Sequence, residues 1–210
     1  MPETAPTVRV WDPFIRVFHW TLVAGFAVAY LTEGEPFWFH ITAGFTVAAL
    51  IAARIVWGFV GPAHARFSDF VYRPSTVIAD LKGHLTGTSK RYLGHNPAGG
   101  AMVVALILAL AGTTGTGAIM YFTGSPEEAR SGEAATSAVS GDEEAEARNV
   151  PGGEDGEKGE RAENPLKEVH ELFANLALFL VILHIGGVAL SSFAHRENLP
   201  RSMVTGVKRA

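Results

Sequence analysis

The stretch His170-Glu171-Leu172-Phe173-Ala174-Asn175-Leu176-Ala177-Leu178-Phe179-Leu180-Val181-Ile182-Leu183-His184 leads into a run that carries no charged residue from Leu172 to Ala194, just before Arg196. About 20 apolar residues suffice for one helical crossing of a bilayer, so this run predicts a transmembrane span. Its two histidines are 14 positions apart. At 100° per residue that is within about 40° of four full turns, and it separates them by roughly 21 Å along the axis. They share one face at opposite depths, and an ionisable residue inside a membrane is costly and usually functional.

Three further runs of the same kind lie upstream. The first covers about Phe14 to Leu31 and follows Asp12-Pro13, an N-cap acid with proline at the first helical position. The second covers about Phe37 to Val60, is opened by Glu35-Pro36, is closed by Gly58 and Gly61-Pro62, and has Arg54 as its one charge. The third runs from Asn96-Pro97 to about Phe122 and carries Gly112, Gly115 and Gly117, small residues that permit close helix contact. The last begins after Asn164-Pro165. The expected fold is an all-α integral membrane protein, a four-transmembrane-helix bundle. Three parts follow: spans one to three within 1–123, an acidic loop over 124–163, and span four with a basic tail over 164–210.

Composition agrees. Of the 21 acidic residues only Glu33 and Glu35 lie between Arg16 and Asp69, while 124–168 holds thirteen acidic residues against five basic ones. This segregation argues against a soluble globular domain, and nothing in it points to a nucleic-acid partner. Met1 to Val10 has no apolar h-region and no small-residue cleavage site, so the first span is expected to stay as an anchor. There is no cysteine, which excludes disulfides, thiolate zinc sites, cysteine-held iron–sulfur clusters and covalent c-type haem.

Basic residues flanking spans are retained on the cytoplasmic side. Arg9 and Arg16 precede span one, Arg66, Arg73, Lys82, Lys90 and Arg91 join spans two and three, and Arg196, Arg201, Lys208 and Arg209 follow span four. Both termini are therefore expected in the cytoplasm, in a multi-pass bacterial inner-membrane protein. Within the second of these segments, Pro74 to Leu85 places Val77, Ile78, Leu81 and Leu85 on one helical face, the pattern of an interfacial helix. The loop from Gly124 to Glu163 is Gly, Glu, Ala and Ser with Val139 and Val150 as its large apolar residues, too little to order itself. It reads as a solvated linker, with an acidic docking surface for a basic redox partner as the alternative.

The chemistry sits in the histidines. His19 lies near the cytoplasmic start of span one, at the level of His184; His40 lies near the outer start of span two, at the level of His170. Depth thus pairs His19 with His184 and His40 with His170. Two such imidazoles facing across a bundle suit the axial positions of six-coordinate haem iron, although imidazole also suits zinc, copper and nickel. Gly44, one turn after His40, leaves space for a macrocycle. His64, His84, His95 and His195 fall outside the spans or at their ends and are expected at the surface, His64 being the best substitute ligand.

These residues also carry a resemblance. Val10-Trp11-Asp12-Pro13 with Arg16 and His19-Trp20, His40 with Gly44, and His170-Glu171-Leu172-Phe173-Ala174-Asn175 with His184 resemble the bacterial cytochrome b561 family, which includes the cytochrome b subunits of nickel–iron hydrogenases. Gly94-His95-Asn96-Pro97-Ala98-Gly99-Gly100 is similar to the hydrogenase-type branch. The resemblance implies two non-covalent b-type haems with bis-His ligation, His19 and His184 for the cytoplasmic one and His40 and His170 for the outer one. The acidic loop is longer than the family's usual connection. Arg54, 14 residues after His40 and so on the same face at the level of the cytoplasmic haem, and Arg16, one turn before His19, are candidate partners of haem propionates; snorkelling to the headgroups is their alternative.

The expected function is a di-haem membrane cytochrome b relaying electrons between a redox partner and the quinone pool. That partner would be a c-type cytochrome or a hydrogenase-like or dehydrogenase subunit. A self-contained small-molecule or superoxide:quinone oxidoreductase and, further off, a haem-free metal transporter are the other readings.

Overall fold

The computed structural model describes residues 6–33, 36–124 and 165–210; the acidic 124–163 segment expected as a linker lies outside the described residues except for Gly124. Four long helices dominate: α1 (Pro13–Leu31), α2 (Phe37–Val60), α5 (Pro97–Thr123) and α6 (Pro165–Ala194). All four are long and apolar enough to cross a membrane. Between α2 and α5 lie α3 (Phe67–Phe70) and α4 (Pro74–Thr86); after α6 comes α7 (Leu199–Thr205), and two short strands, β1 (Thr7–Arg9) and β2 (Val207–Arg209), flank the whole.

The helix starts follow local chemistry. The first N–H groups of a helix have no partner within it. The Asp12 carboxylate accepts from Ile15 N (3.2 Å) ahead of Pro13, and Asn96 Oδ1 accepts from Gly99 N (2.9 Å) ahead of Pro97. Asp80, from α4, accepts a second α5 amide, Ala98 N (3.2 Å). At the other end of α4, Gly87 takes the left-handed conformation, φ 72°, that closes a helix cheaply only at glycine.

Helix α2 packs on α1 and α5, and α5 on α6. The bundle's core is thin: Val47, Ile51, Ala109, Leu110 and Ala177 are buried, with Leu22, Phe26, Ile107, Ala111 and Leu180 around them. Ala177, fully shielded, is seven residues from both His170 and His184, so this apolar layer sits midway between the two histidine levels. Outside it, Leu108, Phe179, Ile182 and Phe193 are exposed, the arrangement expected when the surrounding medium is lipid.

One end of the bundle is capped. β1 and β2 pair antiparallel, with Val8 opposite Lys208, so both termini meet there. Val10 N and Trp11 N donate to Gly206 O (2.9 and 3.1 Å), and Trp11 Nε1 donates to Ser202 Oγ (3.3 Å). Lys208 Nζ donates to Tyr92 O (3.0 Å) and lies 3.5 Å from Glu197, which Arg91 also engages at 2.7 Å. Val10, Trp11, Ile15 and Ala65 form a second small core beneath. Helix α5 enters this region so closely that a Cβ on Gly100 would stand 2.1 Å from the Phe70 carbonyl oxygen.

Helix α4 lies across α5 and α6 with an inverted polarity. Ile78, Leu81 and Leu85 face outward, whereas Asp80 and His84 are turned in. A helix whose apolar face looks away from the protein suits a lipid neighbour better than water.

Candidate haem-binding site

The four span histidines meet in two pairs. The His40 and His170 rings have centroids 6.1 Å apart and planes at 66°; the His19 and His184 rings are 6.5 Å apart at 55°. A metal–imidazole bond is about 2 Å long and the ligating nitrogen lies roughly 1 Å from the ring centre, so two imidazoles on opposite sides of one ion have centroids about 6 Å apart. Both pairs have that spacing. Because His170 and His184 are 14 residues apart on α6, the pairs are about 21 Å apart along the bundle, His19–His184 toward the capped end and His40–His170 toward the other, here termed the open end because none of the described residues caps it. Among the described residues no group of three or more potential metal-ligating side chains occurs, so a polynuclear site does not compete.

The open-end pair is held by its non-ligating nitrogens. His40 Nδ1 is 2.8 Å from the carbonyl oxygen of Ala29, one of the last carbonyls of α1 and therefore without a helical partner of its own. A carbonyl only accepts, so Nδ1 carries the proton and Nε2 keeps its lone pair. His170 Nδ1 is 3.1 Å from Thr116 Oγ1. That hydroxyl already donates to Gly112 O (2.8 Å) or Thr113 O (3.0 Å), so here too Nδ1 donates and Nε2 is left free. Second partners of this kind fix the tautomer and orientation of ligating histidines. Behind His170, a Cβ on Gly117 would approach the ring's Cε1 at 3.0 Å, whereas one on Gly44, a turn after His40, would meet nothing within 4 Å.

The capped-end pair is different. Among the described residues four buried side-chain polar atoms have no hydrogen-bond partner: Arg16 Nε, His19 Nδ1, Arg54 Nη1 and His95 Nδ1. All four belong to this end. Arg54 is 3% exposed and stands against the adjoining rings of Phe67 and Phe70, its Cζ 5.4 and 5.6 Å from their centroids. It does not snorkel. Arg16 donates through Nη2 to Val204 O, tying α1 to α7. An unpaired buried guanidinium is costly, and donors without acceptors are what an anionic group such as a propionate would complete. The residues at both levels fit haem.

Two histidines expected at the surface are elsewhere. His84 is 7% exposed at its side chain: Nδ1 donates to Asp80 O (2.9 Å), and Nε2 accepts from Ser191 Oγ (3.1 Å) and Asn96 Nδ2 (3.3 Å). The i,i+4 spacing from Asp80 put it on the inward face of α4, a direction that the neighbouring apolar residues concealed. His95 lies edge-on to Trp11 (centroids 4.8 Å) and against Phe70 (4.9 Å), drawn in by the tight entry of α5. Burial pushes the His95 imidazole down to about 3, with the charges of Arg54, His184, Lys208 and His64 adding to the effect. His64 is partly buried in the α2–α3 turn with φ 70°, and its ring has no histidine partner among the described residues. Thr116 and the Ala29 carbonyl escaped sequence reading altogether, since a threonine among apolar residues and a backbone oxygen carry no signature.

Beside His19, the residues Pro13, Arg16, Val17, Trp20, Thr21 and Val204 line an open cleft of about 390 Å³.

Comparison with known proteins gives a family. The model of the prokaryotic cytochrome b561 family matches residues 10–206. A probable Ni/Fe-hydrogenase B-type cytochrome subunit of Bradyrhizobium diazoefficiens is 30% identical over 147 residues, covering 57% of this chain and 60% of that protein; the chain thus spans well under two thirds of that relative's length. No solved structure matches the chain. With four membrane-length helices, two facing histidine pairs and a family match over nearly the whole length, the chain belongs to the prokaryotic cytochrome b561 family.

Proposed function

We propose that the protein is a di-haem cytochrome b passing electrons between a redox partner at its open end and the quinone pool. The observation that carries this is the pair of imidazole gaps, 6.1 and 6.5 Å between centroids, at two depths on the same helices. When bound, two b-type haems with bis-His ligation supply one-electron carriers at those depths. The chain's own contribution is placement. His40 and His170 present Nε2 because Ala29 O and Thr116 Oγ1 hold Nδ1; the Val47, Ile51, Ala109, Leu110 and Ala177 layer keeps water from the space between levels; and Arg54 and Arg16 stand ready for propionates. With both imidazoles of a pair as ligands, no coordination position would be left for substrate, which suits a carrier.

The capped end, with Arg9, Arg16, Arg66, Arg73, Lys82, Lys90, Arg91, Arg196, Arg201, Lys208 and Arg209 around it, is assigned to the cytoplasmic face of the bacterial inner membrane. The open end and the acidic 125–164 connection are assigned outside. The likeness to a probable Ni/Fe-hydrogenase B-type cytochrome subunit of Bradyrhizobium supports a hydrogenase-like subunit as the partner rather than a c-type cytochrome. The lipid-facing cleft beside Arg16 and Trp20 supports entry of a quinone near the capped-end pair.

The test is haem content by variant. His170→Ala should lose one haem and His184→Ala the other, each leaving a single bis-His b-type spectrum. A wild-type ratio of one haem per chain, or an unchanged spectrum in either variant, refutes the assignment.

A further inference from the structure

Two of the unpartnered atoms at the capped end share a wall. Phe70, 1% exposed, has the Arg54 Cζ 5.6 Å from its ring centroid and the His95 ring 4.9 Å from it. Trp11 also packs on His95, at 4.8 Å, and Phe67, next to Phe70 at 5.6 Å, also packs on Arg54, at 5.4 Å. Arg54 Nη1 and His95 Nδ1 are both shut off from solvent with no hydrogen-bond partner. Arg54 forms no salt bridge among the described residues: Asp12, the carboxylate whose field reaches it, is already accepting from Ile15 N and Trp57 Nε1 (3.5 Å). A guanidinium is donor-only and a neutral imidazole carries one N–H, so Arg54 lacks an acceptor with a negative charge and His95, with the proton on Nδ1, lacks an acceptor as well. A carboxylate, with two oxygens, meets both needs.

We propose that Arg54 and His95 form one two-point cradle for a carboxylate, and that this carboxylate is a propionate of the haem held by His19 and His184. The inference rests on the haem assignment above. Depth supports it: Arg54 is 14 residues after His40, about 21 Å further along α2, and His184 lies close enough to His95 to act on it electrostatically. Both unpartnered atoms are shut off from solvent, so the propionate's second partner has to come from the protein, and His95 is the positioning residue that supplies it. The charged and titratable groups acting on His95 are Arg54 from α2, His184 from α6, Lys208 from β2 and His64 from the α2–α3 turn. All are retained in the His95 variants below.

The experiment is a redox titration of the capped-end haem as a function of pH. It uses the purified holoprotein in the His170→Ala background, where one haem remains, with His95→Leu, His95→Gln and Arg54→Gln added singly. A propionate that ionises alongside haem oxidation makes the midpoint potential fall with pH over a window set by its proton affinity. Loss of one charge-assisted hydrogen bond should raise that affinity about tenfold or more, moving the window upward by about one pH unit. His95→Leu should show this shift with an intact bis-His spectrum, and His95→Gln, which restores an N–H, should reverse most of it. An unmoved window in His95→Leu beside a moved one in Arg54→Gln removes His95 from the cradle and leaves the haem assignment standing. A His170→Ala protein holding both haems or none overturns the haem assignment and the cradle together. Should that background not accumulate, the two-haem protein serves, with the open-end haem's pH profile as internal reference.

Discussion

Replacing Thr116 by Val keeps the side chain's shape and removes one oxygen. That oxygen lies 3.1 Å from His170 Nδ1 and is the acceptor that fixes the ring's tautomer. In its absence the ring N–H keeps only the Thr113 backbone as a partner, and a hydrogen bond lost here costs about 1 kcal/mol. Loss of a second partner of a ligating histidine typically weakens metal affinity 10–100-fold. The ring also becomes a less basic ligand, which favours ferrous over ferric iron. The open-end haem of Thr116→Val should therefore be released more readily on dilution in detergent, and the haem that remains should have a raised midpoint potential. Thr114→Val is the control: its hydroxyl bonds Leu110 O (2.9 Å) on the same helix but touches no histidine among the described residues. Haem retention and redox titration, compared between the two variants, decide the matter. If Thr116→Val and Thr114→Val retain haem equally with the same potentials, His170 is not oriented as argued.

Gly100→Ala puts a methyl 2.1 Å from a backbone oxygen of Phe70; overpacking of this kind costs about 1–3 kcal/mol, so the thermal transition should fall by several degrees, while Gly115→Ala, where a Cβ meets nothing within 4 Å, should be close to neutral. The cap should loosen in acid. For Glu197, burial pushes the carboxyl up but Arg91's hydrogen bond and Lys208's charge outweigh it and hold it below the usual carboxylate range, so the stability it adds is present above that range and lost as pH falls through the lower folded value. His95, down at about 3 against 6.5 unfolded, is neutral when folded and subtracts stability as pH falls from 6.5 toward 3; protection factors of the β2 amides should drop from pH 7 to pH 4, and a pH-independent set refutes both contributions. Trimming the 124–163 connection while leaving enough chain to join α5 and α6 should preserve haem spectra; if the segment steers a basic partner, trimming also slows electron transfer at low salt, with the difference shrinking at 1 M salt, where the screening length is about 3 Å.

What was legible in the sequence is what period and composition encode. Apolar runs bounded by Asp12-Pro13, Pro36, Asn96-Pro97 and Pro165 became α1, α2, α5 and α6, because a crossing helix satisfies its own backbone and needs no partner to be recognised. The meeting of His19 with His184 and of His40 with His170 followed from depth alone. The cap was not legible. β1, β2 and α7 span three, three and seven residues, too few to show a period, and they exist through contacts nearly 200 positions apart such as Val10 N to Gly206 O. Lys208 looked like one more basic flank residue, yet its stem and charge are enclosed by Glu197 and the Tyr92 carbonyl. The same holds for His95: a polar residue next to a helix start reads as surface until Trp11 and Phe70 are folded over it.

The pairing of β1 with β2 also sets an order of events in the cell. β2 follows every span in the chain, and the residues it binds precede every span. While the ribosome is still feeding helices into the membrane, the lid formed by Trp11, Ser202 and Gly206 has no second half. The compartment around Arg54, His95, His19 and His184 stays without that lid until translation has passed residue 207. Under the di-haem assignment proposed above, the capped level would be the last to be sealed.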